Sequence, residues 1–255
     1  MASGKPIPED LRIADWRFYL PLDDNANSLT IGCGWGTLPV ALCETCKTVY
    51  AVDKSADRID FLNVRKEQQI IENLYPLCVG DYLSLPFSNG SFDLISIADH
   101  KFDSKLGDPF CDIVHYAYDL LKDGGCVNVF ASNKFSIRGL LDKDVRKEKK
   151  LTHTLYGYKN ILKKMGFSNI KVYSPLPRYE GISLVNLPIE DARIRKFFFR
   201  DILPIFEMVS PESKKAYVLE SLVAKIGVPV VNILGLDVLA KFFTPGFNII
   251  AKKVL

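Results

Sequence analysis

The sequence predicts an α/β protein: a doubly wound, mostly parallel sheet with helices on both faces. Three observations carry this. Ser28-Leu29-Thr30-Ile31 has strand character and runs into glycines at alternate positions, Gly32, Gly34 and Gly36, before an apolar helical run over residues 38–43. That order reads as strand, tight turn, helix, because glycine takes positive φ and lets a ligand approach the backbone closely. Strand-like and helix-like segments then alternate along the chain. Among them, Leu94-Ile95-Ser96-Ile97 suits a strand buried on both faces.

Composition narrows the class. The chain has 255 residues, 48% hydrophobic and 25% charged, enough for one large domain or a domain with a cap. A net charge of +3 gives no strong nucleic-acid footprint overall. The balance is uneven: residues 171–255 carry 12 Lys/Arg against 8 Asp/Glu. Cysteines stand at 33, 43, 46, 78, 111 and 126. Cys43-x-x-Cys46 has no second ligand pair, and His100, His115 and His153 are scattered, so reduced thiols without a metal are expected. The start is polar, so no leader is expected, and no run reaches the ~18 apolar residues of a membrane span. A cytoplasmic protein is expected.

The elements follow in order. Residues 11–20 suit a short helix bearing Trp16, Phe18 and Tyr19, packed on the sheet or roofing a cleft. After the glycine turn, residues 47–53 form a second strand ending in Asp53. An acid at that end, 21 residues after Gly32, can accept from both hydroxyls of a ribose. The alternative is a cap for the next helix, residues 57–71. A third strand, residues 75–79, ends in Gly80-Asp81-Tyr82, which is also a turn sequence. The fourth strand ends at Ala98-Asp99-His100, where a crevice beyond the carboxyl ends would place ligand-facing residues. His100 is the general-base candidate there, with Asp99 to orient it or bind substrate, and a solvated loop histidine is the competing reading. His115, in an apolar helical stretch, reads as structural. Residues 112–121 read as a helix closed by Gly124 or Gly125. A fifth strand over 126–131, a helix ending at Gly166 and a sixth strand over 170–173 follow.

Several motifs act together: Gly32-Cys33-Gly34-Trp35-Gly36, the acids after the second and third strands, Leu85-Pro86-Phe87 with Ser91-Phe92-Asp93, and Gly124-Gly125 before the fifth strand. The third glycine comes one residue too early for a dinucleotide fingerprint. The set resembles the class I S-adenosylmethionine-dependent methyltransferases, and most nearly the small-molecule enzymes related to the quinone and sterol methyltransferases. The resemblance covers residues 28–170 and the terminal strand. It implies a Rossmann-like seven-stranded sheet, mostly parallel, with an antiparallel last strand over 247–254. It implies S-adenosyl-L-methionine as cofactor, held by Thr30, Gly32, Cys33, Gly34, Asp53, Lys54, Gly80, Asp81, Tyr82 and Ala98. Asp81 would meet the adenine amino group with Tyr82 beside the ring. One position departs: the family carries Asp or Glu where this chain has Thr30.

The remaining stretch is an insertion. Residues 1–178 and 246–255 form the expected methyltransferase domain, and 179–245 a helical cap, with candidate helices over 193–206, 214–225 and 230–243. The basic run 134–150 reads as a solvated face or a phosphate-facing patch. Arg193-Ile194-Arg195-Lys196-Phe197-Phe198-Phe199-Arg200 suits an anionic, apolar partner such as a lipid-like acceptor or a membrane surface, or else a core helix with basic edges. The expected activity is methyl transfer to a small or lipid-like acceptor, with oxygen favoured through His100. An RNA methyltransferase and a non-catalytic partner of the same fold are the alternatives. Against RNA, no Asn-Pro-Pro-Tyr-type motif follows the fourth strand.

Overall fold

A computed structural model describes residues 11–20, 22, 24–97, 108–135, 153–176, 185–197, 244 and 246–254. One sheet of eight strands organises them, in the spatial order β3-β2-β1-β4-β5-β8-β6-β7. The strands are β1 (Asn27–Ile31), β2 (Thr48–Asp53), β3 (Leu74–Cys78), β4 (Phe92–Ile97), β5 (Leu121–Ser132), β6 (Phe167–Leu176), β7 (Val185–Pro188) and β8 (Gly246–Lys253). β3, β2, β1, β4 and β5 run parallel, while β8 runs antiparallel to both β5 and β6. The chain order reverses between β1 and β4, which puts the crevice of a doubly wound sheet beyond those two strands.

The expected antiparallel last strand is present, between β5 and β6. The outer edge is taken by β7, antiparallel to β6 and contributed by the insertion. The insertion is therefore not purely helical. Only its α5 (Ala192–Phe197) is a helix among the described residues, and the candidates at 214–225 and 230–243 lie outside them.

Two apolar clusters sandwich the sheet. On one face Leu29, Ile31, Ile95, Ile97, Val127 and Val129 meet α3 (Pro109–Leu120) and α4 (Leu155–Lys164). On the other, Val49, Ala51, Leu94 and Cys126 meet α1 (Thr37–Leu42), α2 (Ala56–Gln68) and a 3-10 segment, Leu11–Tyr19. That segment is tied down by rings and charge. Trp16 sits edge-on to Phe130 at 4.9 Å, Tyr19 stacks on Tyr173 at 4.9 Å, and the buried Arg17 guanidinium donates to Glu44 at 2.6 Å.

Two motif residues prove architectural. Asp93 Oδ2 accepts from Asn27 N at 2.8 Å and from Lys122 Nζ at 2.7 Å, joining the starts of β1, β4 and β5. Gly124 does not cap α3. Its φ of 75° serves an irregularity in β5, where Leu121 pairs with Phe92 and Cys126 with Leu94. Gly125 is needed because a Cβ there would lie 2.9 Å from the Lys122 carbonyl oxygen.

Candidate active site

β1 delivers the glycine loop to the crevice. Gly32, Gly34 and Gly36 all have positive φ, at 73°, 57° and 83°. The glycines differ in what they make room for. A Cβ on Gly36 would strike Leu62 Cδ1 at 2.3 Å, so this glycine lets α2 pack closely. A Cβ on Gly34 would meet nothing within 4 Å, so this glycine faces open space.

Four amides of the loop are satisfied inside the protein. Gly32 N and Cys33 N donate to the Val52 carbonyl at 2.9 and 3.0 Å, and Gly36 N donates to Cys33 O at 3.1 Å. Gly34 N donates to Asp53 Oδ2 at 2.9 Å. The loop can present carbonyl oxygens and the space over Gly34 to a ligand.

Asp53 is the pivot of the site. It is 1% exposed, and Oδ1 accepts from Ser55 N at 3.0 Å. The half-exposed Arg58 approaches Oδ2 at 3.4 Å. Ser55 N and Arg58 lie at the start of α2, the side to which the capping alternative for Asp53 points. Burial pushes the Cys33 thiol up to about 12, and the Asp53 charge adds to that, so Cys33 is a neutral lining group. Burial, with Asp53 next, also pushes the Tyr82 phenol up to about 12. Tyr82 Oη accepts from Lys54 N at 3.2 Å, and Lys54 Nζ lies 5.1 Å from the Tyr82 ring centre. Asp53, Lys54 and Tyr82 thus form one group at the ends of β2 and β3.

Gly80 is exposed, and a Cβ there would meet nothing within 4 Å, while Asp81 is half-buried. Asp81 Oδ1 accepts from Leu83 N at 3.1 Å, the turn hydrogen bond foreseen beside the adenine role. Thr30 is 1% exposed, and its Oγ1 has no hydrogen-bond partner among the described residues. It points to the face that carries Ser96 of β4, its register partner, whose hydroxyl is also unpartnered. Ala98, Asp99 and His100 lie outside the described residues. His115 is exposed on α3, with Nδ1 3.9 Å from Asp119 Oδ2, rather than in the core.

The crevice has a second rim that sequence reading missed. Asp108 caps α3, and His153 sits just before α4, beside the end of β5, where its carbonyl accepts from Lys134 N at 3.2 Å. His153 Nε2 lies 3.1 Å from Asp108 Oδ2. The two residues are 45 apart in the chain, so no local spacing announces the pair.

Comparisons place this architecture. Residues 29–125 match the family model described as a methyltransferase domain. No curated protein matches the sequence. Among solved structures, YcgJ of Bacillus subtilis is similar with a TM-score of 0.57 at 13% identity, covering 96% of this chain and 98% of that one. Phosphoethanolamine N-methyltransferase 2 of Haemonchus contortus, solved with S-adenosyl-L-methionine, has a TM-score of 0.55 at 18% identity. That match covers 96% of this chain but 52% of the other, so this chain spans about half of that protein's length. The [4+2]-cyclase SpnF, with a TM-score of 0.58 at 16% identity over 96% and 81% of the two chains, shares the fold as well. Identities this low establish the fold, whereas the family match and the glycine loop bear on the class. Over residues 29–125, less than half of its length, the chain is similar to the methyltransferase-domain family.

Proposed function

We propose that this protein transfers a methyl group from S-adenosylmethionine to the oxygen of a small or lipid-like acceptor. The observation that supports the reading most is the junction of Gly34 and Asp53: a glycine facing open space, pinned by a buried carboxylate at the end of β2. The residues suit the cofactor in kind. An ammonium calls for acceptors, which the carbonyls of the glycine loop supply. A ribose diol calls for a carboxylate, and it reaches Asp53 by displacing the half-exposed Arg58. Gly80 gives open room, and Asp81 an acceptor, for an adenine amino group. Thr30 leaves the amino-acid tail without the usual neighbouring charge, so its binding rests on neutral hydrogen bonds.

When bound, the sulfonium supplies an activated methyl. The chain's own task is then to align the acceptor in line with that methyl and to take up a proton where the acceptor carries one. For the lipid-like class, the support is on α5. Ile194 and Phe197 are 42% and 53% exposed between the exposed Arg193 and Lys196. Arg195 is not part of that surface: it is buried, and its Nη1 donates to the Ile189 carbonyl at 2.8 Å. A membrane surface fits the same features, and no helix among the described residues is long and apolar enough to cross a membrane.

The test is calorimetry with S-adenosylmethionine and S-adenosylhomocysteine, followed by methyl-labelled cofactor with isoprenoid alcohols, phospholipid and glycolipid extracts and phosphoethanolamine. Label in a solvent-extractable ether or ester is expected. Label in phosphoethanolamine alone would move the acceptor to nitrogen, and failure of both nucleosides to bind would overturn the enzyme reading.

A further inference from the structure

We propose that His153 is the general base of the methyl transfer, with Asp108 as its positioning residue. This rests on the methyltransferase reading above. The argument begins with the carboxylate. Asp108 Oδ1 accepts from Phe110 N at 3.0 Å and Cys111 N at 3.4 Å, and Oδ2 accepts from the Cys111 thiol at 3.3 Å. Pro109 follows at the first helical position, where its missing N–H costs nothing. The carboxylate is thus fixed by the head of α3 before His153 is considered. Burial pushes its pKa up, but the Cys111 thiol and His153 outweigh that and hold it below its ordinary value. Asp108 is therefore an anion at neutral pH and can only accept.

The imidazole is aimed as firmly. Its Nε2 lies 3.3 and 3.1 Å from the two Asp108 oxygens. Because the acid only accepts, Nε2 is the donor, and in the neutral ring Nδ1 keeps its lone pair. Among the described residues Nδ1 has no hydrogen-bond partner. Phe110 and Tyr158 flank the ring, with centroids at 5.7 and 5.2 Å. On the remaining side stands Gly157, where a Cβ would lie 3.1 Å from the His153 Cβ and 3.6 Å from its Cγ. A glycine inside a helix destabilises it by roughly 0.5–1 kcal/mol relative to alanine. Here it makes the room in which the ring sits. Cys111 is excluded as a nucleophile, since burial and the Asp108 contact push its thiol up to about 11.

Place completes the argument. Tyr158 Oη donates to the Ser132 carbonyl, the last residue of β5, at 3.0 Å. Asp108 begins the helix that follows β4. The pair therefore stands over the carboxyl ends of β4 and β5, next to the switch point between β1 and β4, on the opposite rim from Asp53. In the step itself, His153 Nδ1 takes the proton of an acceptor hydroxyl while that oxygen forms its bond to the methyl carbon. The carbon–sulfur pair stays on sulfur, leaving a neutral thioether, and the imidazolium is balanced by Asp108.

The test uses the wild-type chain with ring-¹⁵N histidine and methyl-¹³C S-adenosylmethionine, after calorimetry has established binding. The chain has three histidines, so signals that survive in a His100→Gln/His115→Gln double variant belong to His153. The expected result is a bare Nδ1 and a protonated Nε2 at neutral pH, with a nuclear Overhauser contact between the bound methyl and the His153 ring. Asp108→Asn should populate the other tautomer while leaving cofactor affinity within about twofold. Binding without that contact, a contact to His100 instead, or a protonated Nδ1 would overturn the assignment and leave the methyltransferase reading standing. Absence of binding would overturn both.

Discussion

The two faces of the sheet are built on different terms. Beneath α3 and α4 the strands present Leu29, Ile31, Ile95, Ile97, Val127 and Val129, and at the rim Asp108 and His153 hold each other. Beneath α1, α2 and the 3-10 segment the strands present a buried polar row across four strands: Thr30, Ser96, Asn128 and Asn248. Asn128 Nδ2 donates to Asn248 Oδ1. Among the described residues Thr30 Oγ1, Ser96 Oγ, Asn128 Oδ1 and Asn248 Nδ2 have no partner. A buried polar atom without a partner costs about 1–3 kcal/mol unless water satisfies it. The first face is thus the source of stability. The second gives up some of it to carry polar groups up to the glycine loop.

The comparison can be broken or sharpened by substitution. The largest effect is expected on the apolar face, where Phe92→Ala empties a fully buried ring site against Tyr50 and Phe87. Urea unfolding should show a loss of about 3–5 kcal/mol, and a loss near 1 would deny this face its role. Next comes the rim of the polar face. Asp53→Ala removes the acceptor of Gly34 N and should weaken S-adenosylmethionine binding by about 1.5–3 kcal/mol by calorimetry. Unchanged affinity would show that Asp53 serves the loop alone. Within the row, Asn128→Leu orphans Asn248 and should cost about 1–3 kcal/mol, whereas Asn128→Leu with Asn248→Leu should return close to wild type.

At the opposite rim, the folded-state pKa of Asp108 is lowered from its ordinary 3.8. Its contribution is therefore whole above that value and lost as pH falls through the lowered one. Asp108→Asn should lower stability near pH 7, where that contribution is whole, and flatten the acid limb below about pH 4, so that the two curves converge at low pH. The smallest effect is expected from Thr30→Val, which deletes an unpartnered hydroxyl at constant shape and should raise stability by about 1 kcal/mol, the low end of that cost.

How much of this was legible in the sequence follows from what each feature depends on. Local patterns announced the glycine turn, Asp53 and the parallel strands, because hydrophobic periodicity and glycine placement act over a few residues. The role of Gly36 depends on Leu62 of a later helix, and the irregularity at Gly124 on the register between β4 and β5. Neither is written in its own neighbourhood. The edge strand β7 is four residues long and lies in a stretch whose composition reads as helical. Pairing with β6, rather than propensity, makes it a strand. Asp108 and His153 were plain as residue types, but only folding puts them within hydrogen-bond reach.

The seat of β8 has a consequence for synthesis. β6 reaches the rest of the sheet through residues 246–253, which pair with Phe167–Tyr173 on one side and Cys126–Ser132 on the other. While the chain leaves the ribosome at about 5–20 residues per second, β1 to β5 can zip together early. β6 and β7 must then wait several seconds as an unsupported ribbon until the missing rung emerges from the tunnel. During that interval the open flank of β5 is the place where a chaperone has the most to shield.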